Sequence, residues 1–147
     1  MAPKEALIER MQVIISELEE EGSLDENFRV AEDLKDVTGP YFFANLVPTF
    51  LTDTRITLRD LTRLLEEPSV DFGAVVQLAI KLRGATASIG TCSMARSCGN
   101  LRRAADNQTQ ERCMQALNEI KLEFSRIYDR LDEIVQIERR IVALGGI

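Results

Sequence analysis

The sequence predicts an all-α protein: an antiparallel four-helix bundle with two additional helices at its N-terminus. Three observations carry this expectation. Apolar residues recur at three- and four-residue spacing through nearly the whole chain. No segment sustains the twofold alternation of a strand. The breaks between periodic segments are short, which makes consecutive helices antiparallel neighbours. A chain of 147 residues fits one compact domain, 1–147, that can bury a sizeable core.

Helices are expected at roughly 4–21, 23–35, 40–66, 71–89, 91–106 and 108–144. In the first, Leu7, Met11, Ile14 and Leu18 share a face, and Gly22 follows as a C′ residue. Glu19, Glu20 and Glu21 oppose the helix dipole there, so this end is expected to fray. Ser23-Leu24-Asp25-Glu26 has the form of a capping box and starts the second helix, with Phe28, Val30, Ala31 and Leu34 as its apolar positions. Thr38-Gly39-Pro40 breaks the chain, and Pro40 suits the first turn of the third helix. That helix carries Phe50, Thr54, Leu58, Leu61 and Leu65 inward. Pro48 lies within it, which implies a kink near 44–48 or a later start.

Asp71 is a suitable N-cap for the fourth helix. On it Phe72, Val75, Ala79, Leu82, Thr86 and Ile89 form one stripe. Gly90-Thr91 leads to the fifth helix, with Met94, Cys98, Leu101 and Ala105 in register. After the turn 106–109 comes the longest helix, along which Met114, Leu117, Lys121, Phe124, Tyr128, Leu131, Val135, Glu138 and Val142 trace a drifting face beside Ile120, Ile127, Ile134 and Ile141. Gly145-Gly146 stops it.

Composition excludes several function classes. The net charge of −6 disfavours nucleic acid and anionic membranes as partners, and no apolar run approaches the ~20 residues of a membrane span. No export signal is recognised. Cys92, Cys98 and Cys113 are an odd, sparse set, expected to be reduced core thiols in the cytoplasm or nucleus. They are too few for a zinc site. With no histidine in the chain, serine or cysteine triads of the usual kind are absent, and no phosphate-binding glycine loop occurs. The protein is therefore expected to be non-enzymatic, without metal or cofactor.

One position breaks the core pattern. Ile80 falls about 120° from the centre of the fourth-helix stripe, beside Val76, Arg83, Gly84 and Ala87. A large aliphatic side chain next to a glycine and an arginine is the composition of a docking surface. Gly84 suits either close approach of a partner or packing between helices.

This stretch, Ile80-Lys81-Leu82-Arg83-Gly84-Ala85-Thr86-Ala87-Ser88-Ile89-Gly90, resembles the phosphoacceptor helix of plant histidine-containing phosphotransfer proteins, whose pattern is His-Gln-Leu-Lys-Gly-Ser-Ser-x-Ser-Ile-Gly. Supporting matches are Asp53-Thr-Arg-Ile56, Val70-Asp-Phe72 and Ile141-Val-Ala-Leu-Gly-Gly146. Ile80 stands where the phosphorylated histidine belongs, so the resemblance is to the histidine-lacking branch, the pseudo-phosphotransfer proteins.

It implies a protein that binds receiver domains of sensor histidine kinases and response regulators in cytokinin-type phosphorelay; a monomer is expected, because the one apolar surface patch is assigned to a partner. It also implies that the chain cannot accept phosphate and competes as a negative regulator. The implied receiver-binding residues are Val76, Ile80, Lys81, Arg83, Gly84 and Ala87. Arg83 takes the family's lysine position, with a planar fork in place of a point charge. Ala85 and Thr86 replace the family's serine pair. The alternative is a helical scaffold whose Val76/Ile80/Ala87 patch binds an amphipathic partner helix.

Overall fold

The computed structural model describes residues 2–33 and 39–145. These form six helices: α1 Pro3–Glu20, α2 Glu26–Asp33, α3 Phe42–Glu66, α4 Phe72–Ile89, α5 Cys92–Asp106 and α6 Gln110–Ala143. Each of α3 to α6 packs on its neighbours in a closed ring, while α1 lies along α6 and α2 against α4. The expected bundle is thus present, with the two N-terminal helices laid on its outside. No described helix is long and apolar enough to cross a membrane.

The core stripes lie mostly as their spacing requires. Thr54, Leu58, Leu61 and Leu65 of α3, Val75, Ala79, Leu82, Thr86 and Ile89 of α4, and Met94, Cys98, Leu101 and Ala105 of α5 are all buried. Two positions depart from this. Val30 and Met114 are exposed, because the actual contact faces are drawn by Phe28 and Ala31 on α2 and by Cys113 and Ala116 on α6. Leu34 and Lys35, the expected end of the second helix, lie outside the described residues, as do Thr38 and Gly146.

Several boundaries move for identifiable reasons. Ser23 does not cap α2. Its amide donates back to Leu18 O (2.9 Å) while Gly22, at φ +79°, donates to Glu19 O (3.0 Å). This pair of bonds closes α1 and draws Ser23 into the interior. Asp25 takes the capping role instead, its carboxylate accepting from Asn27 N at 2.9 Å. The end of α1 is held rather than frayed. Arg29 pairs with Glu19 (2.8 Å), and Arg130 of α6 reaches both Glu17 (3.1 Å) and Glu21 (3.8 Å), so cations from two other helices offset the acidic last turn.

Helix α3 begins at Phe42, after Pro40 rather than on it, and runs without interruption through Pro48. Tyr41 gives it no side-chain cap. Glu138, from the far end of α6, supplies one: its carboxylate accepts from Phe43 N (3.0 Å) and Ala44 N (2.8 Å). A fully buried carboxylate on a helix N-terminus satisfies two orphan donors and meets the positive end of the dipole. Phe28 stacks on Phe43 beside it, ring centroids 5.1 Å apart. Arg55, within the Asp53–Ile56 stretch, donates to the Tyr128 hydroxyl at 2.7 Å and ties α3 to α6.

Gly90 joins α4 to the N-terminal helices. It ends α4 at φ +92°, its carbonyl accepts from Asp25 N (2.9 Å), and a Cβ there would lie 2.5 Å from Phe28 N. Only glycine allows both the left-handed turn and this approach of α2.

Candidate functional site

Helix α4 is fixed at both ends, by the Asp71 carboxylate accepting from Ala74 N (3.0 Å) and by the left-handed Gly90. Its buried stripe then sets which residues remain for solvent. Ile80 is 41% exposed, and Arg83, Gly84 and Ala87 are exposed beside it. Val76 is half-buried and packs against the core. A Cβ on Gly84 would meet nothing within 4 Å, so no neighbouring helix requires a glycine there. The outward placement of Ile80 follows from the anchoring of Ala79 and Leu82, since turning Ile80 inward would expose the whole stripe.

The remaining basic residue of the set takes a different direction. Lys81 lines a groove of about 400 Å³ between α3 and α4, together with Leu46, Phe50, Asp53, Leu82 and Ile89. Arg83 instead runs toward α5, its guanidinium carbon 3.9 Å from where a Gly99 Cβ would stand. Lys81 and Arg83 therefore serve opposite flanks of α4, and only Arg83 borders Ile80 on the α5 side.

On that side lie residues that sequence spacing alone did not assign. Gly99 is buried within α5, and the Arg83 guanidinium lies against it, at ordinary van der Waals distance from its Cβ position. Arg103 reaches the same spot, with Nη1 3.7 Å from the Gly99 Cβ position, and donates to the Asn100 side chain. Neither Arg83 nor Arg103 has a carboxylate partner among the described residues; Arg102, one residue away, pairs with Asp106 at 3.8 Å. The signal in the sequence was a glycine in mid-helix, where it is intrinsically unfavourable.

Nucleophilic chemistry at this face is poorly supplied. Burial pushes the Cys98 thiol up to about 12, against the opposing influence of the Thr86 hydrogen bond and nearby Arg83. Burial likewise raises Cys113, and burial with the Asp25 charge raises Cys92, whose thiol donates to Gly22 O at 3.1 Å. Raised pKa values keep these groups as neutral thiols around pH 8, and the reactive thiolate is lost. Native protein at pH 8 should therefore leave Cys98 and Cys113 unmodified by a thiol reagent, with Cys92 reacting slowly; denaturant should release all three. Rapid native labelling of Cys98 would contradict this packing. No group of three or more His, Cys, Asp or Glu side chains among the described residues is placed to hold a metal.

No family model matches the chain. Histidine-containing phosphotransfer protein 1 of Arabidopsis thaliana is 32% identical over 126 residues, 86% of this chain and 82% of that protein. At lower identity, pseudo histidine-containing phosphotransfer protein 2 of Oryza sativa subsp. japonica is 26% identical over 134 residues, 90% of this chain and 89% of that protein. Among solved structures, a putative histidine-containing phosphotransfer protein from rice superposes with a TM-score of 0.89 at 25% identity, covering 95% of this chain and 99% of its own.

Proposed function

The chain belongs to the plant histidine-containing phosphotransfer family of two-component signalling, and from that premise we propose that it is a pseudo-phosphotransfer protein. It binds receiver domains of sensor histidine kinases and response regulators through the α4 face, accepts no phosphate, and competes with phosphate-carrying members as a negative regulator. The observation that carries this reading is Ile80, 41% exposed on α4 at the position of the family's phosphorylated histidine, in a chain that contains no histidine.

Relay through a phosphohistidine needs an imidazole nitrogen with a lone pair to attack the acyl phosphate of a receiver. A sec-butyl side chain has none. The raised thiols of the bundle offer no substitute, and Cys98 is buried besides. What the face retains is shape and charge: an aliphatic knob, an open glycine that admits a partner's backbone, and an arginine with no ion pair to break among the described residues. These suit a negatively charged pocket.

The amphipathic-helix scaffold draws less support. Val76 is half-buried, which leaves Ile80 and Ala87 as the exposed apolar surface, and a helix-in-groove partner needs a longer row of anchors.

The test uses purified receiver domain carrying radiolabelled aspartyl phosphate. After incubation the protein should remain unlabelled, while a binding assay with the same receiver detects a complex. In competition, it should slow transfer to a histidine-bearing family member in proportion to its concentration. Phosphate on this chain would overturn the proposal, as would failure to bind any receiver in a panel.

A further inference from the structure

We propose that the docking face extends from α4 onto α5 as a two-arginine fork, Arg83 and Arg103 meeting over Gly99, which makes the protein prefer the phosphorylated form of a receiver. This rests on the receiver-binding reading above and adds which state of the partner is held.

The geometry is specific to these three residues. Two guanidinium groups from different helices come within 3.9 and 3.7 Å of one point, the absent Cβ of Gly99. Placing like charges side by side is unfavourable unless something negative accompanies them, and no carboxylate pairs with either among the described residues. Asn100 orients Arg103 without neutralising it. A Cβ at position 99 would stand in ordinary van der Waals contact with both guanidinium groups, so the two cations close over the same spot on α5.

Arg83 lies one turn along α4 from Ile80, so the fork extends from the face where, on the receiver-binding reading, the partner's active-site aspartate lies. An unmodified aspartate brings one negative charge; its phosphorylated form brings nearly two and additional acceptor oxygens in the tetrahedral arrangement that guanidinium groups recognise. A single arginine would attract both forms. A second, converging arginine favours the more highly charged one. Since nothing at position 80 attacks the phosphoryl group, the preference is expressed as a longer-lived complex and not as transfer.

The experiment compares affinity for one purified receiver domain, with magnesium alone and with magnesium plus beryllium trifluoride, which mimics the aspartyl phosphate. The intact chain should bind the beryllofluoride form about 10-fold more tightly, corresponding to ~1.4 kcal/mol. Arg103→Ala should lose most of the preference, its affinity for the beryllofluoride form falling to within about 3-fold of its affinity for the unmodified receiver. Arg10→Ala, which removes an equal charge from α1, should leave the preference intact and so separates a local contact from the overall field. Equal affinity for both forms, or a preference untouched by Arg103→Ala, overturns the fork while leaving receiver binding standing. Failure to bind either form overturns both.

Discussion

Glu138→Ala should lower unfolding stability by about 3–5 kcal/mol, among the largest effects available to one substitution in this chain. The wild-type carboxylate is fully buried and accepts from two backbone amides at the start of α3, 3.0 Å from Phe43 N and 2.8 Å from Ala44 N. Alanine leaves both donors in a water-poor interior, opens a cavity, and removes the anion from the helix dipole. Tyr41, the residue at the N-cap position, provides no side-chain cap in its place. For a chain of this size the loss should lower the melting temperature by roughly 10 °C or more. Glu138→Gln keeps the volume and one accepting oxygen and should fall between. A melting point for Glu138→Ala within about 2 °C of wild type would mean that the α3 terminus finds its partners elsewhere.

Arg83→Glu should weaken receiver binding by about 100-fold or more, on the scale of charge changes at the centre of an interface. The reversal acts twice. It replaces a cation facing an acidic pocket with an anion, and it sets a carboxylate against Arg103, which approaches the same Gly99 position to 3.7 Å. The new internal ion pair would occupy the second guanidinium as well. Circular dichroism and melting temperature should change little, because Arg83 is exposed and makes no ion pair among the described residues. Receiver affinity unchanged in this variant would remove the α4–α5 face from the interaction altogether.

Much of the architecture was legible from residue order because local periodicity and burial agree. The stripe Val75, Ala79, Leu82, Thr86 and Ile89 is buried as spacing requires, and Ile80, off that stripe, is exposed. Asp71 caps α4 as its chemistry suggests. The departures from the expected elements have two causes, a competing turn nearby and contacts from distant helices. Ser23 resembled a capping residue, yet the turn that closes α1 claims its amide. The acidic end of α1 predicts fraying, and Arg29 and Arg130 from other helices hold it instead. Lys81 and Arg83 are two residues apart, about 200° around a helix, and so address different flanks of α4. Spacing puts Glu138 on an inward face but gives it no purpose, since the amides it serves lie 95 and 94 positions away.

The sequence by itself determined that the chain is helical, that Ile80 points outward from α4, and that no imidazole exists to carry a phosphoryl group. These follow from short-range geometry and from composition, neither of which depends on how helices meet. Only the tertiary structure decided that Arg83 turns toward α5, that it and Arg103 converge beside Gly99, and that Glu138 secures the start of α3. Each of these joins residues from different helices, and side-chain spacing along one helix carries no information about the rotation of its neighbour.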